Sequence, residues 1–268
     1  MSDQTKANPP SNPIAVHDPY KLFEISLNPD GSLKRNPNGF PTCRPRLIRI
    51  NPSRFSPRTS LSTSQNTCVR IFLPRQQVLG TSSGTYKLPL IVYFHGGGFI
   101  QCSASTTGFH VFCSTMALQI QAIVVSVDYR LAPEHRLPAA YDDAMEALCG
   151  NIVYHAGIRA SDELEPLKIR GLILHQPFFG GSLKVESELR LVNDPVLPPG
   201  VSDMSWELAL PIGGDCDHEY CNPTSGKGPT LLGNLASIGW RVLVTGCDGD
   251  PLIDRQLRLV KLMEEKGV

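Results

Sequence analysis

The sequence predicts an α/β protein in which a mostly parallel β-sheet is flanked by helices. Apolar runs of strand length, such as residues 88–94 and 122–127, alternate with longer stretches of helical pattern. The run at 122–127 is almost continuously apolar, which is typical of a parallel strand that is buried on both faces. With 268 residues, 41% of them hydrophobic and 19% charged, the chain has enough apolar material for one large domain with a sizeable core.

The N-terminal quarter differs in composition from the rest of the chain. Residues 1–15 are polar and contain several prolines, which predicts a mobile N-terminus. Residues 16–65 begin with an amphipathic stretch and become rich in Asn, Pro, Arg and Ser, so we interpret them as a cap-like segment. The α/β domain then occupies residues 66–268, and its first strand is predicted at 68–74.

Further elements follow in order along this domain. The patterns predict a strand at 88–94, a helix at 109–119, a strand at 122–127 and a helix that begins at Pro138. Near the end of the chain, a buried strand is predicted at 241–245 and a helix at 257–265. Residues 18–65 and 180–215 have no clear periodicity and are predicted to be irregular.

The strand at 88–94 breaks directly into His95 and three consecutive glycines, Gly96, Gly97 and Gly98. Without Cβ atoms, such a loop brings backbone N–H groups close to a ligand, as an oxyanion hole for acyl transfer requires. This chemistry also needs a serine on a G-x-S-x-G turn, followed by an acid and a histidine. The sequence contains residues for the loop and the acid, but neither that turn in its proper context nor a late histidine.

A second stretch, Gly80-Thr-Ser-Ser-Gly84, matches G-x-S-x-G letter for letter. A nucleophile turn follows an apolar strand and precedes a helix, whereas this pentapeptide follows polar residues and precedes the strand at 88–94. We therefore interpret Ser82 as part of a flexible loop. Cys149 is a second alternative nucleophile, but it lacks the glycine that such a turn uses on its N-terminal side.

Charge and cysteine usage restrict the partners. Lys+Arg and Asp+Glu number 25 each, so the zero net charge gives no electrostatic reason to expect nucleic acid or an acidic membrane. The eight cysteines form no C-x-x-C pair and are predicted to be reduced; the N-terminus lacks a signal-peptide core. These features predict a cytoplasmic protein with no metal and no cofactor, whose oligomeric state stays open.

Several motifs in order carry a family resemblance. They are the His95 to Phe99 loop, the segment Asp128-Tyr-Arg-Leu-Ala-Pro-Glu-His with the helix after it, and residues 150–160, 218–223 and 249–256. Together they resemble plant carboxylesterases of the hormone-sensitive-lipase group of α/β hydrolases over nearly the whole chain. The resemblance implies the α/β-hydrolase fold with an N-terminal cap. It also implies hydrolysis of short-chain carboxylic esters by a Ser-His-Asp triad.

The resemblance also assigns residue roles. The N–H groups of Gly97 and Gly98 would donate to the oxyanion, His95 and Gly96 would shape the loop, and Asp250 would be the triad acid. A plain tight turn is the alternative for the glycines. Asp250 also stands before Pro251, where it would cap a helix, and both roles are compatible. We expect structural contacts from Asp254.

Two parts of the family pattern are missing from the sequence. In the family, a helix, a strand and the nucleophile turn precede the Gly-Asn-Ile segment, whereas here Leu148-Cys149-Gly150-Asn151 joins helix to helix. The absent strand would be central in the sheet, so we expect a truncated fold with two unpaired strand edges. The strand and loop that carry the family's histidine are also absent before Val268.

These observations leave three functional hypotheses. The first is a carboxylesterase by descent that is inactive because the serine and the histidine are absent. The second is a non-catalytic, receptor-like protein that binds a small ester or apolar ligand. The third is a splice or gene-model fragment without independent function. Trp206 and the pair Phe178 and Phe179 are candidate pocket walls, although core packing explains them equally. None of the seven histidines lies where a triad needs one.

Overall fold

The computed structural model describes residues 18–36, 39–42, 58–62, 68–74, 88–147 and 169–268. Residues 1–15, the Ser82 pentapeptide, Cys149 and the 148–151 junction lie outside these ranges. In chain order the described elements are α1 (Pro19–Leu22), β1 (Ile25–Leu27), β2 (Leu33–Arg35), β3 (Arg58–Ser62), β4 (Cys68–Phe72), β5 (Leu90–Phe94), α2 (Thr107–Gln119), β6 (Ile123–Asp128), α3 (Ala139–Ala147), β7 (Gly171–His175), α4 (Glu186–Arg190), α5 (Pro199–Ala209), α6 (Gly228–Ile238), β8 (Arg241–Thr245) and α7 (Ile253–Glu265).

The described strands form three separate hydrogen-bonded groups. Strands β1 and β2 make an antiparallel hairpin, and a four-stranded sheet has the order β3-β4-β6-β5. In that sheet β5 runs parallel to β6, with Val92 opposite Val125, while the pairs β3-β4 and β4-β6 are antiparallel. The third group is the parallel pair β7-β8, in which Ile173 lies opposite Leu243. The predicted parallel pairing is thus confirmed in two separate strand pairs, β5-β6 and β7-β8.

The four-stranded sheet has one face covered by α2. Phe72, Cys113, Ala117 and Val124 form a small buried core between the sheet and this helix, and Phe72 is only 2% exposed. The helix begins two residues earlier than expected, at Thr107, and ends at Gln119 as expected. Alternation along the strands turns these apolar side chains to the helix side of the sheet.

A larger core joins the other elements. Trp206, on α5, is fully buried and packs in this core with Tyr141, Phe179 and Leu259. The expectation that residues 180–215 are irregular was wrong for α4 and for α5, and Pro199 begins α5 at its first position. The buried side chains of this helix, rather than a clear periodicity of the sequence, stabilise it in place.

The N-terminal hairpin is attached to the main domain by Arg35. Its guanidinium donates to the carbonyl oxygens of Ile100 at 2.7 Å and Ala132 at 2.6 Å, and pairs with Glu134 at 2.8 Å. Partial burial acts to raise the pKa of Glu134, but hydrogen bonds from Arg35 and from the Leu33 N–H prevail and lower it to about 2. The cap-like segment therefore contacts the turn that follows β6.

Most elements predicted from apolar patterns are confirmed. The strand at 241–245 matches β8, and the strands at 68–74, 88–94 and 122–127 match β4, β5 and β6 within two residues at each end. The helix expected at Pro138 is α3, and α7 begins four residues before the predicted 257. Within the described ranges, none of the helices combines the length and apolarity needed to cross a bilayer.

Candidate active site

A cavity of about 590 Å³ lies where β5 ends. Its lining combines β5, the glycine loop, α2, β7 and the residues just after β7. Apolar and aromatic side chains dominate this lining, among them Phe109 and Phe112 on α2 and Phe178 after β7. The location agrees with the rule that α/β sheets place their sites beyond the carboxyl ends of the strands.

The backbone of the glycine loop explains why glycine occupies two of its positions. Gly97 has φ of +118° and Gly98 has φ of +60°, a region that side chains disfavour. A Cβ at Gly97 would also overlap the carbonyl oxygen of Gln101, and one at Gly98 would come within 3.0 Å of Ser205 Oγ. The loop therefore requires both glycines for its conformation and for its close packing.

The N–H groups of Gly97 and Gly98 are available to a ligand. The Gly97 carbonyl oxygen accepts from Ile100 N at 3.1 Å and Gln101 N at 3.0 Å, which closes the turn. Neither glycine N–H donates a hydrogen bond within the described part of the chain. Both glycines line the cavity, and their role as oxyanion donors stays a prediction.

His95 supports this loop from the buried side. Its Nδ1 lies 2.8 Å from the Gly96 carbonyl oxygen, which only accepts, so Nδ1 carries the proton. The ring stacks on Tyr129 at a centroid distance of 4.2 Å, and the Tyr129 hydroxyl donates to the His95 carbonyl at 2.8 Å. Burial lowers the pKa of His95, although Asp128 opposes the shift, so the imidazole stays neutral. These contacts fix the His95 ring beside the loop, and its loop-shaping role stays a prediction.

Asp250 lies after β8, in the turn that precedes α7. Its Oδ1 accepts from the Leu252 N–H at 2.9 Å, and its Oδ2 accepts from Gln256 Nε2 at 2.8 Å. No described histidine contacts this carboxylate, and Asp250 is not part of the cavity lining. The helix begins at Ile253 with Leu252 at its N-cap position and no side-chain capping bond, so Asp250 closes the turn before α7 instead of capping the helix. Its role as triad acid stays a prediction.

Asp254 makes structural contacts, as the sequence led us to expect. Its Oδ2 accepts from the Ser187 N–H at 2.8 Å. The Ser187 hydroxyl in turn donates to the Pro251 carbonyl oxygen at 2.6 Å. These bonds join α4 to the start of α7 and leave Asp254 away from the cavity.

The aromatic candidates divide between cavity and core. Phe178 lines the cavity and stacks on Trp206 with a centroid distance of 4.9 Å and an interplanar angle of 2°. Trp206 and Phe179 are buried in the main core, so core packing was the better interpretation for these two. Phe178 therefore forms part of the cavity wall, and the Trp206 ring packs against it.

His175 lines the cavity, although no motif in the sequence pointed to it. Its Nδ1 lies 2.7 Å from Thr245 Oγ1, and its ring stacks on Phe112 at 6.1 Å. His175 is the last residue of β7, and the carboxyl ends of parallel strands lie at the same edge of a sheet. This signal could have placed it near the cavity. Among the residues that the structure describes, no three His, Cys, Asp or Glu side chains are grouped as metal ligands.

Comparison with known proteins agrees with this geometry. A family model described as the alpha/beta hydrolase fold matches residues 91–149 and 150–268. Carboxylesterase 20 of Arabidopsis thaliana is 44% identical over 290 aligned positions, which cover 96% of this chain and 88% of that protein. The chain belongs to the plant carboxylesterase family of α/β hydrolases. The carboxylesterase family also supplies a relative in Papaver somniferum, 3-O-acetylpapaveroxine carboxylesterase CXE2, which is 46% identical over 94% of this chain and 89% of its own length.

Two further proteins extend the carboxylesterase comparison. Gibberellin receptor GID1B of Arabidopsis thaliana is 30% identical over 84% of this chain and 72% of the receptor. The solved structure of a hyperthermophilic esterase from the archaeon Pyrobaculum calidifontis superposes with a TM-score of 0.63 and 25% identity. This superposition covers 80% of this chain and 71% of the archaeal esterase. The family thus contains proteins named as esterases and proteins named as receptors.

The match to the carboxylesterases is interrupted at one point inside the chain. The family model breaks between residues 149 and 150, in the segment that connects α3 to β7. The alignment with carboxylesterase 20 is 290 positions long, more than the 268 residues of this chain. The relative therefore has residues within that alignment that this chain lacks.

Proposed function

We propose that this chain is a carboxylesterase-family protein that retains the glycine loop but does not hydrolyse esters by the family's triad. The observation that carries the proposal is the composition of the cavity beside Gly97 and Gly98. Within the described part of the chain, none of its lining residues is Ser, Thr or Cys. The residues that line the cavity therefore supply no Ser or Thr hydroxyl and no Cys thiol as a nucleophile.

The two tyrosines of the cavity do not substitute for a serine. Burial raises the pKa of Tyr93 and of Tyr129 well above the usual phenol value, so both stay protonated at neutral pH. The Tyr129 hydroxyl also donates to the His95 carbonyl and is occupied by the loop itself. Ser205, the hydroxyl nearest to Gly98, donates to the Val201 carbonyl at 2.8 Å on its own helix.

The break in the family match supports the same proposal. It falls between residues 149 and 150. By the family resemblance, this is the place of the nucleophile turn that this chain lacks. We further propose that Gly97 and Gly98 are the oxyanion donors, with His95 and Gly96 shaping the loop, and that Asp250 occupies the position of the triad acid. In this chain the Asp250 carboxylate accepts from the Leu252 N–H and from Gln256 in the turn before α7.

The ligand class follows from the cavity. Its lining carries no Asp, Glu, Lys or Arg, and aromatic rings form much of its wall. A small uncharged ester or apolar molecule fits this chemistry, with its carbonyl oxygen accepting from the two glycine N–H groups. We place the protein in the cytoplasm, since none of the described cysteines forms a disulfide.

Binding without catalysis is the second candidate function. It is favoured by the same combination of two donors and an aromatic wall, and by the receptor named among the relatives. Equilibrium binding of a non-hydrolysable ketone analogue of an ester, measured by calorimetry, tests it. The third candidate, a fragment without independent function, predicts that no full-length transcript encodes Leu148-Cys149-Gly150.

Hydrolysis of p-nitrophenyl acetate and p-nitrophenyl butyrate by the purified 268-residue chain tests the main proposal. We expect no rate above buffer. The variants Ser82→Ala and Asp250→Asn are measured alongside. A saturable activity that Ser82→Ala abolishes would identify Ser82 as the nucleophile and overturn the proposal. Activity that neither variant changes indicates a contaminating esterase, and repurification that removes it restores the proposal.

A further inference from the structure

Cys216 and Cys221 form a pair of thiols in hydrogen-bond contact. The thiol of Cys221 donates to the sulfur of Cys216, and neither cysteine belongs to a disulfide. The pair lies in the segment between α5 and α6, and neither residue lines the cavity of the candidate active site. Their contact is therefore a feature that the proposed function does not use.

The backbone of this segment brings the two thiols together. The N–H of His218 donates to the Asp215 carbonyl oxygen at 3.0 Å, and the N–H of Cys221 donates to the His218 carbonyl oxygen at 2.9 Å. Two successive turns thus fold residues 215–221 back on themselves. Because the two sulfurs are already in contact, joining them in a disulfide needs only a small further approach.

The two thiols differ in their access to solvent. Cys216 is partly exposed, whereas Cys221 is fully buried in the larger core. Glycine at position 180 leaves room for the buried sulfur, since an added Cβ would lie 2.6 Å from Cys221 Sγ. The Gly180 N–H also donates to the Cys221 carbonyl oxygen at 2.9 Å. An oxidant from solvent therefore reaches Cys216 first, while the backbone holds Cys221 beside it.

The contact also makes Cys216 more reactive than another partly exposed thiol, that of Cys102. The hydrogen bond from Cys221 lowers the pKa of Cys216 to about 7, although burial opposes this shift. Burial raises the pKa of Cys102 to about 11. Since the thiolate is the nucleophile, Cys216 is the more reactive of the two at neutral pH. The charged groups that act on Cys216 in either direction are Lys184, Asp203 and Asp215.

We propose that Cys216 and Cys221 are a redox modification site, at which a hydroperoxide converts the two thiols to a disulfide. Cys216 is the thiol that the peroxide oxidises, and Cys221 is the thiol that completes the disulfide. This inference goes beyond the proposed function, because it requires neither ester binding nor ester hydrolysis.

The reaction balances in two steps. The Cys216 thiolate attacks a peroxide oxygen, the O–O bond breaks, and the oxygen that leaves takes a proton from water, so that Cys216 becomes a sulfenic acid. The Cys221 sulfur then attacks the Cys216 sulfur, and its proton leaves with the sulfenic hydroxyl as water. Two thiols and one hydroperoxide thus give one disulfide, one alcohol and one water, with water in place of the alcohol when the oxidant is hydrogen peroxide. The sulfurs lose two electrons and the peroxide gains them.

The test exposes the purified 268-residue chain to hydrogen peroxide. Free thiols are then blocked with N-ethylmaleimide under unfolding conditions, disulfides are reduced, and the thiols so released are labelled with a heavy maleimide. Trypsin leaves both cysteines in one peptide, residues 191–227. We expect both heavy labels on this peptide, and an unreduced digest should show it lighter by two hydrogens. Dithiothreitol added after the peroxide should remove both signals.

Three variants assign the bond. Cys216→Ser should abolish the disulfide, and it alters a partly exposed site. Cys221→Ala removes the second thiol, so Cys216 should accumulate as the sulfenic acid, which dimedone traps. Cys247→Ser is the matched control, because it removes an exposed thiol elsewhere. It should change the rate of disulfide formation by less than about twofold.

Three outcomes overturn the proposal. They are the absence of a disulfide within peptide 191–227, a disulfide that joins this peptide to another one, and oxidation of Cys102 as fast as that of Cys216. We expect Cys216 to react at least about tenfold faster than Cys102. Circular dichroism checks each variant for folding. If the buried variant Cys221→Ala does not fold, Cys216→Ser and the unmodified protein still decide the question.

Discussion

The four-stranded sheet and the β7-β8 pair are two halves of the α/β domain that differ in how their strands are covered. Strand β6 has a partner on each side, and it contributes Val124 to the small core and Val127 to the larger one. Within the described residues β7 and β8 pair only with each other, and although Leu172 and Leu174 are buried in the larger core, Ile173 and Leu243 are more than half exposed. Burial of apolar surface stabilises a sheet, so the four-stranded half is the better supported.

The strongest test of this comparison removes one apolar side chain from each half. Phe72→Ala leaves a cavity in the small core and should lower the free energy of unfolding by about 3–5 kcal/mol. Leu243→Ala removes an exposed side chain and should change it by less than about 1 kcal/mol. Urea unfolding followed by near-UV circular dichroism measures both. Equal losses would show that the two halves are equally well packed.

A second test concerns the loop after β5. Gly97→Ala forces a side chain into a positive-φ position and against the Gln101 carbonyl, so we expect a loss of about 2–4 kcal/mol. Gly108→Ala is the matched control, because nothing lies within 4 Å of its added Cβ, at the second residue of α2. This control should be neutral or stabilising by about 0.5–1 kcal/mol. A harmless Gly97→Ala would contradict the described loop.

A third test concerns the turn after β8, in the less covered half. Asp250→Ala removes the acceptor of the Leu252 N–H and should lower stability by about 1 kcal/mol. Asp250→Asn keeps an accepting oxygen and should lose only a few tenths of a kcal/mol. Thermal melts of the three proteins measure the difference. If Asn and Ala behave alike, the hydrogen bond to the Leu252 N–H does not stabilise the turn before α7.

The smallest effect is expected at the N-terminal hairpin, as a function of pH. Because the folded pKa of Glu134 is lowered to about 2, its contribution is present above the unfolded pKa near 4.5 and is lost as pH falls towards 2. Glu134→Gln should therefore reduce stability at pH 6 and converge with the unmodified protein at low pH. A gap that persists at pH 2 would assign the effect to packing instead of charge.

The elements that could be predicted were those with a strong local pattern of apolar and polar residues. Residues 241–245 form a short apolar run between polar neighbours, so β8 was predicted correctly. The hairpin β1-β2 was not predicted, because each of its strands has three residues and is held by the distant contact of Arg35 with Glu134. Alternation has no room to appear in three residues, and a tertiary ion pair leaves no local signal.

The candidate site shows the same division. Gly97 and Gly98 were identified because consecutive glycines after an apolar strand indicate a loop whose backbone adopts positive φ angles. His175 was missed, because its place in the cavity depends on which strands meet at one end, and no short motif encodes that. For Asp250, the Asp-Pro signal for a helix start was displaced by two residues, since α7 begins at Ile253, and the catalytic position is supplied only by the family resemblance.

The exposed face of β7 and β8 also bears on how long the protein persists in a cell. Chaperones and proteases act on apolar surface that stays uncovered, and small differences in stability change abundance several-fold. The steady-state amount of this protein should therefore depend on how often Ile173 and Leu243 are covered, as well as on the stability of its larger core. The exposed face of the β7-β8 pair is thus one determinant of the protein's turnover.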